Sequence, residues 1–215
     1  MASCTIFRRS REEVTFFPSL WGGSPVDVYK RQPIKDLCQE LEIPFTIVPT
    51  QISEIVFQDR RESNPCSLCA KMRKGALNDA ALSLGCNKIA YAHHKDDIVE
   101  TMLLSLIFEG RFYSFSPYTY LDRSRLTVIR PMMYVEEREI IGFRNKYSLP
   151  VQKNPCPMDG FSKREYVKQL LKQLENDHEH VKDRMFSADV NGKITGSPDV
   201  VPVKGRKTKQ TDVHT

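Results

Sequence analysis

The sequence lacks most of what marks a membrane, secreted or repetitive protein. None of its apolar runs approaches the ~18 residues that a membrane span needs. Its N-terminus lacks the order of charged, apolar and small residues of a secretory signal. No internal repeat recurs, which excludes solenoids and propellers. Glycine is scarce, 10 of 215 residues, and Gly22-Gly23 is the only double glycine. These absences leave a cytoplasmic globular protein, with no membrane partner, as the expectation. At 215 residues the chain suffices for one domain with a sizeable core. Its net charge of +5 admits a polyanionic partner without demanding one. In a reducing compartment its six cysteines are no disulfide framework, and clustered thiols point to metal binding or catalysis.

Residues 1–32 carry no persistent helical or alternating pattern and read as an unrelated or disordered segment. Regularity begins at Pro33. Ile34, Leu37, Cys38 and Leu41 form a stripe that predicts a helix over 33–43, and 45–50 reads as a short strand. Residues 70–85 predict a helix stopped at Gly85, and 88–92 a buried strand. Residues 96–110 predict a helix apolar on most sides, hence buried, closed by Gly110. A strand over 126–132 and an amphipathic helix over 136–149 follow. Residues 163–175 predict a basic helix with Tyr166, Val167, Leu170, Leu171 and Leu174 on its apolar side. This alternation predicts an α/β domain over 33–195, a parallel sheet with helices on both faces. The tail 196–215 reads as disordered.

The densest chemistry is His93-His94-Lys95-Asp96-Asp97-Ile98-Val99-Glu100-Thr101. It falls where a strand ends and a helix begins, the place where open α/β sheets bind ligands. The backbone N–H groups there are unpaired and the helix dipole is positive. One reading is a nucleotide site, with carboxylates reaching Mg²⁺ and imidazoles reaching phosphate or the reacting group. The other is a capping box between Asp97 and Glu100, worth about 1 kcal/mol. Capping leaves the histidine pair and Asp96 without a role.

Cys66 and Cys69 form a Cys-x-x-Cys pair beside a helix start, where the dipole, Lys71 and Arg73 are expected to lower the thiol pKa. Zinc, a redox pair and an iron–sulfur cluster all remain open. Cys156, in a proline-flanked loop, supplies a third thiol. Three thiolates need a histidine or a water to close a tetrahedral zinc site. On a cubane cluster they leave one iron open, able to hold and deliver hydrosulfide. Cys38 and Cys86 lie on or beside apolar stripes and read as buried small hydrophobes. Cys4 lies in the first segment.

The nine residues 93–101 resemble the HHxDDxxET signature of the PP-loop ATPases that modify tRNA, the group of the 2-thiocytidine and lysidine synthetases. Asn64-Pro65-Cys66-Ser67-Leu68-Cys69 and the residues to Gly75 resemble the PCSLCxxxRRG stretch of the 2-thiocytidine synthetases. Residues 128–140 resemble their Arg-Pro strand and following helix. The likeness runs from about Pro33 to about Gly196. It implies a Rossmann-like fold of the adenine nucleotide α-hydrolase type. It also implies ATP-dependent 2-thiolation of cytidine 32 in the tRNA anticodon loop, with a sulfur donor such as a cysteine desulfurase and a homodimer as one option. Carried over residue by residue, Cys66, Cys69 and Cys156 would hold a 4Fe–4S cluster. His93, His94, Asp96 and Asp97 would line the ATP–Mg²⁺ crevice, and Arg130 would neutralise developing charge. Lys71, Arg73, Lys74 and Arg111 head the basic residues expected on the RNA. Arg123, Arg125, Lys163, Arg164, Lys168 and Lys172 are further candidates, with a solvated face as the alternative for the late helix. Phe112, Tyr113, Phe115, Tyr118 and Tyr120 either stack on bases or pack their loop.

The family's SGGxDS phosphate loop is absent. Trp21-Gly22-Gly23-Ser24-Pro25 lacks the preceding serine and the Asp-Ser pair, and Pro25 removes an N–H. The expectation is a family member without its first strand or strands and its PP-loop, inactive as it stands. A uridine thiolase, a lysidine synthetase and a non-catalytic metal- or RNA-binding module remain the alternatives.

Overall fold

The computed structural model describes residues 4–8, 14–17, 25–60, 65–151, 156, 160 and 162–191, with the backbone alone up to residue 31. The tail 196–215 and the glycine pair at 22–23 lie outside the described residues. The sheet is built around β3 (Cys86–Tyr91), whose register with β5 (Leu126–Ile129) is parallel, Ile89 opposite Val128. β4 (Tyr118–Leu121) returns antiparallel on β5. On the other edge of β3 lies β1 (Cys4–Arg8), antiparallel to it, and outside that β2 (Val14–Phe17). The order is β2-β1-β3-β5-β4. The sheet is thus mixed, with one parallel pair, where the alternation of elements predicts parallel strands throughout. The first segment, which carries no pattern in sequence, supplies two strands, because the open edge of β3 leaves backbone groups that need partners.

Helix α1 (Pro25–Glu40) starts earlier than the stripe at 33–43 predicts. The strand expected at 45–50 is irregular, with one isolated bridge at Phe45. Pro44 and Pro49 bracket it, and neither donates a ladder hydrogen bond. A short helix α2 (Ile52–Glu54) runs into a π-helical turn at Ile55–Asp59. Helix α3 (Pro65–Ser83) begins on a proline, suited to a first helical position. It sets Leu77, Ala80 and Ala81 against Cys86 and Ile89 of β3 and Leu126 of β5, which makes the first core. Gly85, at φ 68°, turns the chain into β3 as its sequence position predicts.

The second core joins three helices and the turn after β5. Ile98 and Val99 come from α4 (Lys95–Glu109), Val167 and Leu171 from α6 (Lys163–Asp177), and Phe186 from α7 (Val181–Asn191). Met133 joins them just before α5 (Glu137–Lys146). Neither β4 nor α7 is signalled by periodicity in the sequence. Helix α4 is buried over its first two-thirds only. Near its end Leu106, Ile107 and Phe108 are 42%, 45% and 40% exposed, against the expectation of burial all round. Cys38 and Cys86 are buried, as read.

Candidate functional site

The chain leaves β3 at Tyr91 and enters α4 at Lys95, so the histidine pair forms the turn between sheet and helix. His94 is the N-cap, with extended backbone at φ −112° and ψ 178°. Its backbone N–H donates to Asp97 Oδ2 at 3.2 Å. A cap therefore exists, but it joins Asp97 to His94 and not to Glu100, because Glu100 turns into the protein. There Glu100 is 2% exposed. Arg164, at the start of α6, meets it through Nη1 at 2.7 Å, and the same nitrogen reaches Asp97 Oδ1 at 3.3 Å. Arg164 Nη2 donates to Thr101 Oγ1 at 3.2 Å. Lys168 stands 3.7 Å from the other Glu100 oxygen. Burial, partly offset by Lys168 and Arg164, holds the Glu100 carboxyl above its ordinary pKa.

Asp96 faces the other way. Its Oδ2 accepts the Glu137 N–H at the start of α5 at 2.8 Å, and its Oδ1 accepts from Lys182 of α7 at 2.8 Å. Burial would raise its pKa, but these two donors outweigh it and hold the carboxyl below the ordinary value. Lys95 reaches Glu136 and Asp183 in the same way. Each of the four oxygens of Asp96 and Asp97 already meets a donor, so this arrangement does not fit a Mg²⁺ site, which needs oxygens free to coordinate.

His93 belongs to a separate cluster. Its ring stacks on Tyr91, with centroids 5.3 Å apart, and on Phe115, at 4.3 Å and 13° between planes. Arg130 Nε donates to His93 Nδ1 at 3.3 Å. The guanidinium lies 4.9 Å from the Phe115 centroid and 5.9 Å from that of Tyr91, and donates to the Ser116 carbonyl. Burial, joined by the positive charges of Arg130 and Arg164, takes His93 down to about 4, against the pull of Asp97. Burial also lowers Arg130. Of the loop aromatics, Phe115 packs inward, while Phe112, Tyr113, Tyr118 and Tyr120 stay exposed.

Cys66 and Cys69 lie one turn apart on α3, the first exposed and the second half-buried. Their pKa values are raised, where the sequence predicts a lowering. Burial is the main cause for both, and Cys156 pushes both further up. Arg73 works the other way on Cys69 but does not win. Cys156 is half-buried, and among the described residues no three His, Cys, Asp or Glu side chains stand at metal-ligand geometry. Cys66, Cys69 and Cys156 fit an iron–sulfur cluster by donor type, as thiols, and not by a preformed geometry.

Lys71 and Lys74 are exposed on α3, and Arg73 is half-buried near the thiols. Arg111 is exposed, paired with Glu109 at 2.6 Å and lying over Tyr113. Arg164 and Lys168, candidates for RNA by sequence, are instead spent on Glu100, Asp97 and Glu137. Sequence reasoning misses Lys182 and Glu137 as the partners of Asp96. Nothing in their own periodicity marks them, since they become neighbours only when α5 and α7 pack around α4.

Residues 27–174 match the PP-loop domain family. The tRNA-cytidine(32) 2-sulfurtransferase of Pelobacter propionicus is 40% identical over 163 residues, 74% of this chain and 61% of that protein. That of Geobacter sulfurreducens is 42% identical over 163 residues, 74% of this chain and 63% of its own. The chain therefore spans about three fifths of the length of these curated relatives. Among solved structures, the U34-tRNA thiolase NcsA from Methanococcus maripaludis, with its 4Fe–4S cluster, superposes with a TM-score of 0.61 at 21% identity. It covers 82% of this chain and 59% of its own, and it shows the fold alone. With two thirds of its residues matching the family model, this chain belongs to the PP-loop domain family and is similar to the tRNA-cytidine(32) 2-sulfurtransferases.

Proposed function

We propose that the chain serves tRNA thiolation, with cytidine 32 of the anticodon loop as the target. What supports this reading is the three cysteines, Cys66 and Cys69 one turn apart on α3 and Cys156, together with 40–42% identity to tRNA-cytidine(32) 2-sulfurtransferases. These three would hold a 4Fe–4S cluster, which when bound supplies the sulfur-transfer chemistry. ATP adenylates the C2 carbonyl oxygen of the base: the oxygen attacks the α-phosphorus and pyrophosphate leaves. Sulfur then bonds to C2, and AMP departs with the old oxygen. The protein's share is to hold His93 and Arg130 at the strand end and to fix the start of α4 through Asp97 and Arg164. Asp96 works as a tie between helices. Lys71, Arg73, Lys74 and Arg111 supply positive charge for tRNA phosphates. A cysteine desulfurase fits as sulfur donor, and a cytoplasmic location follows.

The test is nucleoside analysis of tRNA from cells that lack their own 2-thiocytidine and express this chain. Recovery of 2-thiocytidine at position 32 supports the reading. A thiolated uridine instead would move the target. No thiolation, with metal or RNA still bound, would make the chain a non-catalytic binding module, as the missing SGGxDS motif favours.

A further inference from the structure

We infer that His93, at the turn between β3 and α4, is locked as a neutral imidazole protonated on Nε2. Arginine has five N–H donors and no acceptor. A bond from Arg130 Nε to His93 Nδ1 at 3.3 Å therefore requires Nδ1 to be bare. A neutral imidazole with a bare Nδ1 carries its proton on Nε2. An imidazolium would turn an N–H against the N–H of Arg130 and set two cations side by side.

The lock is well supported. Arg130 is fixed by its side-chain bond to Ser116, by its backbone N–H to the Pro117 carbonyl at 3.0 Å, and by the Tyr91 and Phe115 rings. The same two rings stack on His93 and restrict its rotation. The titratable and charged groups acting on the ring are Asp97 and His94 from the start of α4, Arg130 beyond β5 and Arg164 from α6. Burial and the two arginines outweigh Asp97 and favour the neutral form. An Nε2–H held in this tautomer is a hydrogen-bond donor for an incoming oxygen. A neutral donor of this kind polarises a carbonyl or phosphoryl oxygen without itself needing to lose a proton.

What accepts this bond rests on the proposed thiolation, but the donor itself is read directly. The measurement is a long-range proton–nitrogen correlation spectrum of the ¹⁵N-labelled full chain from pH 5 to 8, with His93 assigned by His93→Gln. The expected result is a bare Nδ1, a protonated Nε2 and no titration over that range. A proton on Nδ1, or a midpoint near 6.5, would overturn the inference and leave the thiolation proposal standing. A failed thiolation assay with the expected spectrum does the reverse. Arg130→Met should let the tautomers mix, and an unchanged spectrum there would remove Arg130 as the lock.

Discussion

Replacing Arg164 by methionine isolates the ion pair that holds the start of α4. Arg164 reaches Asp97, Glu100 and Thr101, and the Glu100 side chain is 3% exposed. Breaking a buried pair by removing one partner costs about 3–5 kcal/mol. Two facts reduce that figure here. Arg164 is itself 38% exposed, and Lys168 remains 3.7 Å from Glu100. The expected loss near pH 8 is therefore about 2 kcal/mol, or roughly a 4–8 °C fall in Tm. Its pH dependence carries the diagnosis. Glu100 already titrates above its ordinary value, mainly through burial, so the folded state retains a proton that the unfolded chain has lost. Stability from this group falls as pH rises through that window. Without Arg164 the window widens upward, and protonating Glu100 relieves the penalty as pH falls. Urea unfolding at pH 5 and pH 8 should show the smaller loss at pH 5, and adding Glu100→Gln should recover most of it. An equal loss at both values, or no recovery, would refute the reasoning.

His93 contributes with the opposite slope. Its pKa lies near 4 in the fold against about 6.5 when unfolded, so its share, up to about 3 kcal/mol, is present above 6.5 and lost as pH falls towards 4. His93→Gln should flatten the unfolding curve over that range. Cys156→Ser should strip iron and sulfide from the anoxically purified chain while leaving its circular dichroism unchanged; a variant that keeps its iron would remove Cys156 from the ligand set. Ile98 is fully buried in the second core, and Ile98→Ala should cost about 2–5 kcal/mol in chemical denaturation. A loss below 1 kcal/mol would mean that the α4–α6–α7 core is not well packed.

The parts of the fold legible in sequence are those whose signal is local. The stripe of α6, the buried run of β3 and the glycine stops at Gly85 and Gly110 all recur in the structure because periodicity and left-handed backbone are properties of a few residues. The site was legible as composition, since a strand end crowded with titratable groups is rare. Its wiring was not. Asp96 and Asp97 are adjacent and look alike, yet one turns to Glu137 and Lys182 and the other to Arg164. Arg164 and Lys163 are adjacent and basic, yet one grips the start of α4 while the other lies over the Phe108 ring near its end. Which way each points is decided by helices that arrive from elsewhere in the chain. The thiols fail for the same reason: the helix start promised a lowered pKa, but burial and the third cysteine, far away in sequence, overrode it.

The mixed sheet sets an order of assembly. The β4–β5 pairing closes a tight loop, Leu121 opposite Leu126, and hairpins of this kind form in about 1–10 μs. The parallel pairing of Lys88 with Thr127 encloses the whole of α4 and must bear the entropy of a long loop. The β1–β3 pairing, Cys4 opposite Tyr91, spans a still longer loop and is slower on contact-order grounds. Until β3 and β5 pair, His93 after β3 and Arg130 after β5 have not met, so this cluster assembles only after the hairpin.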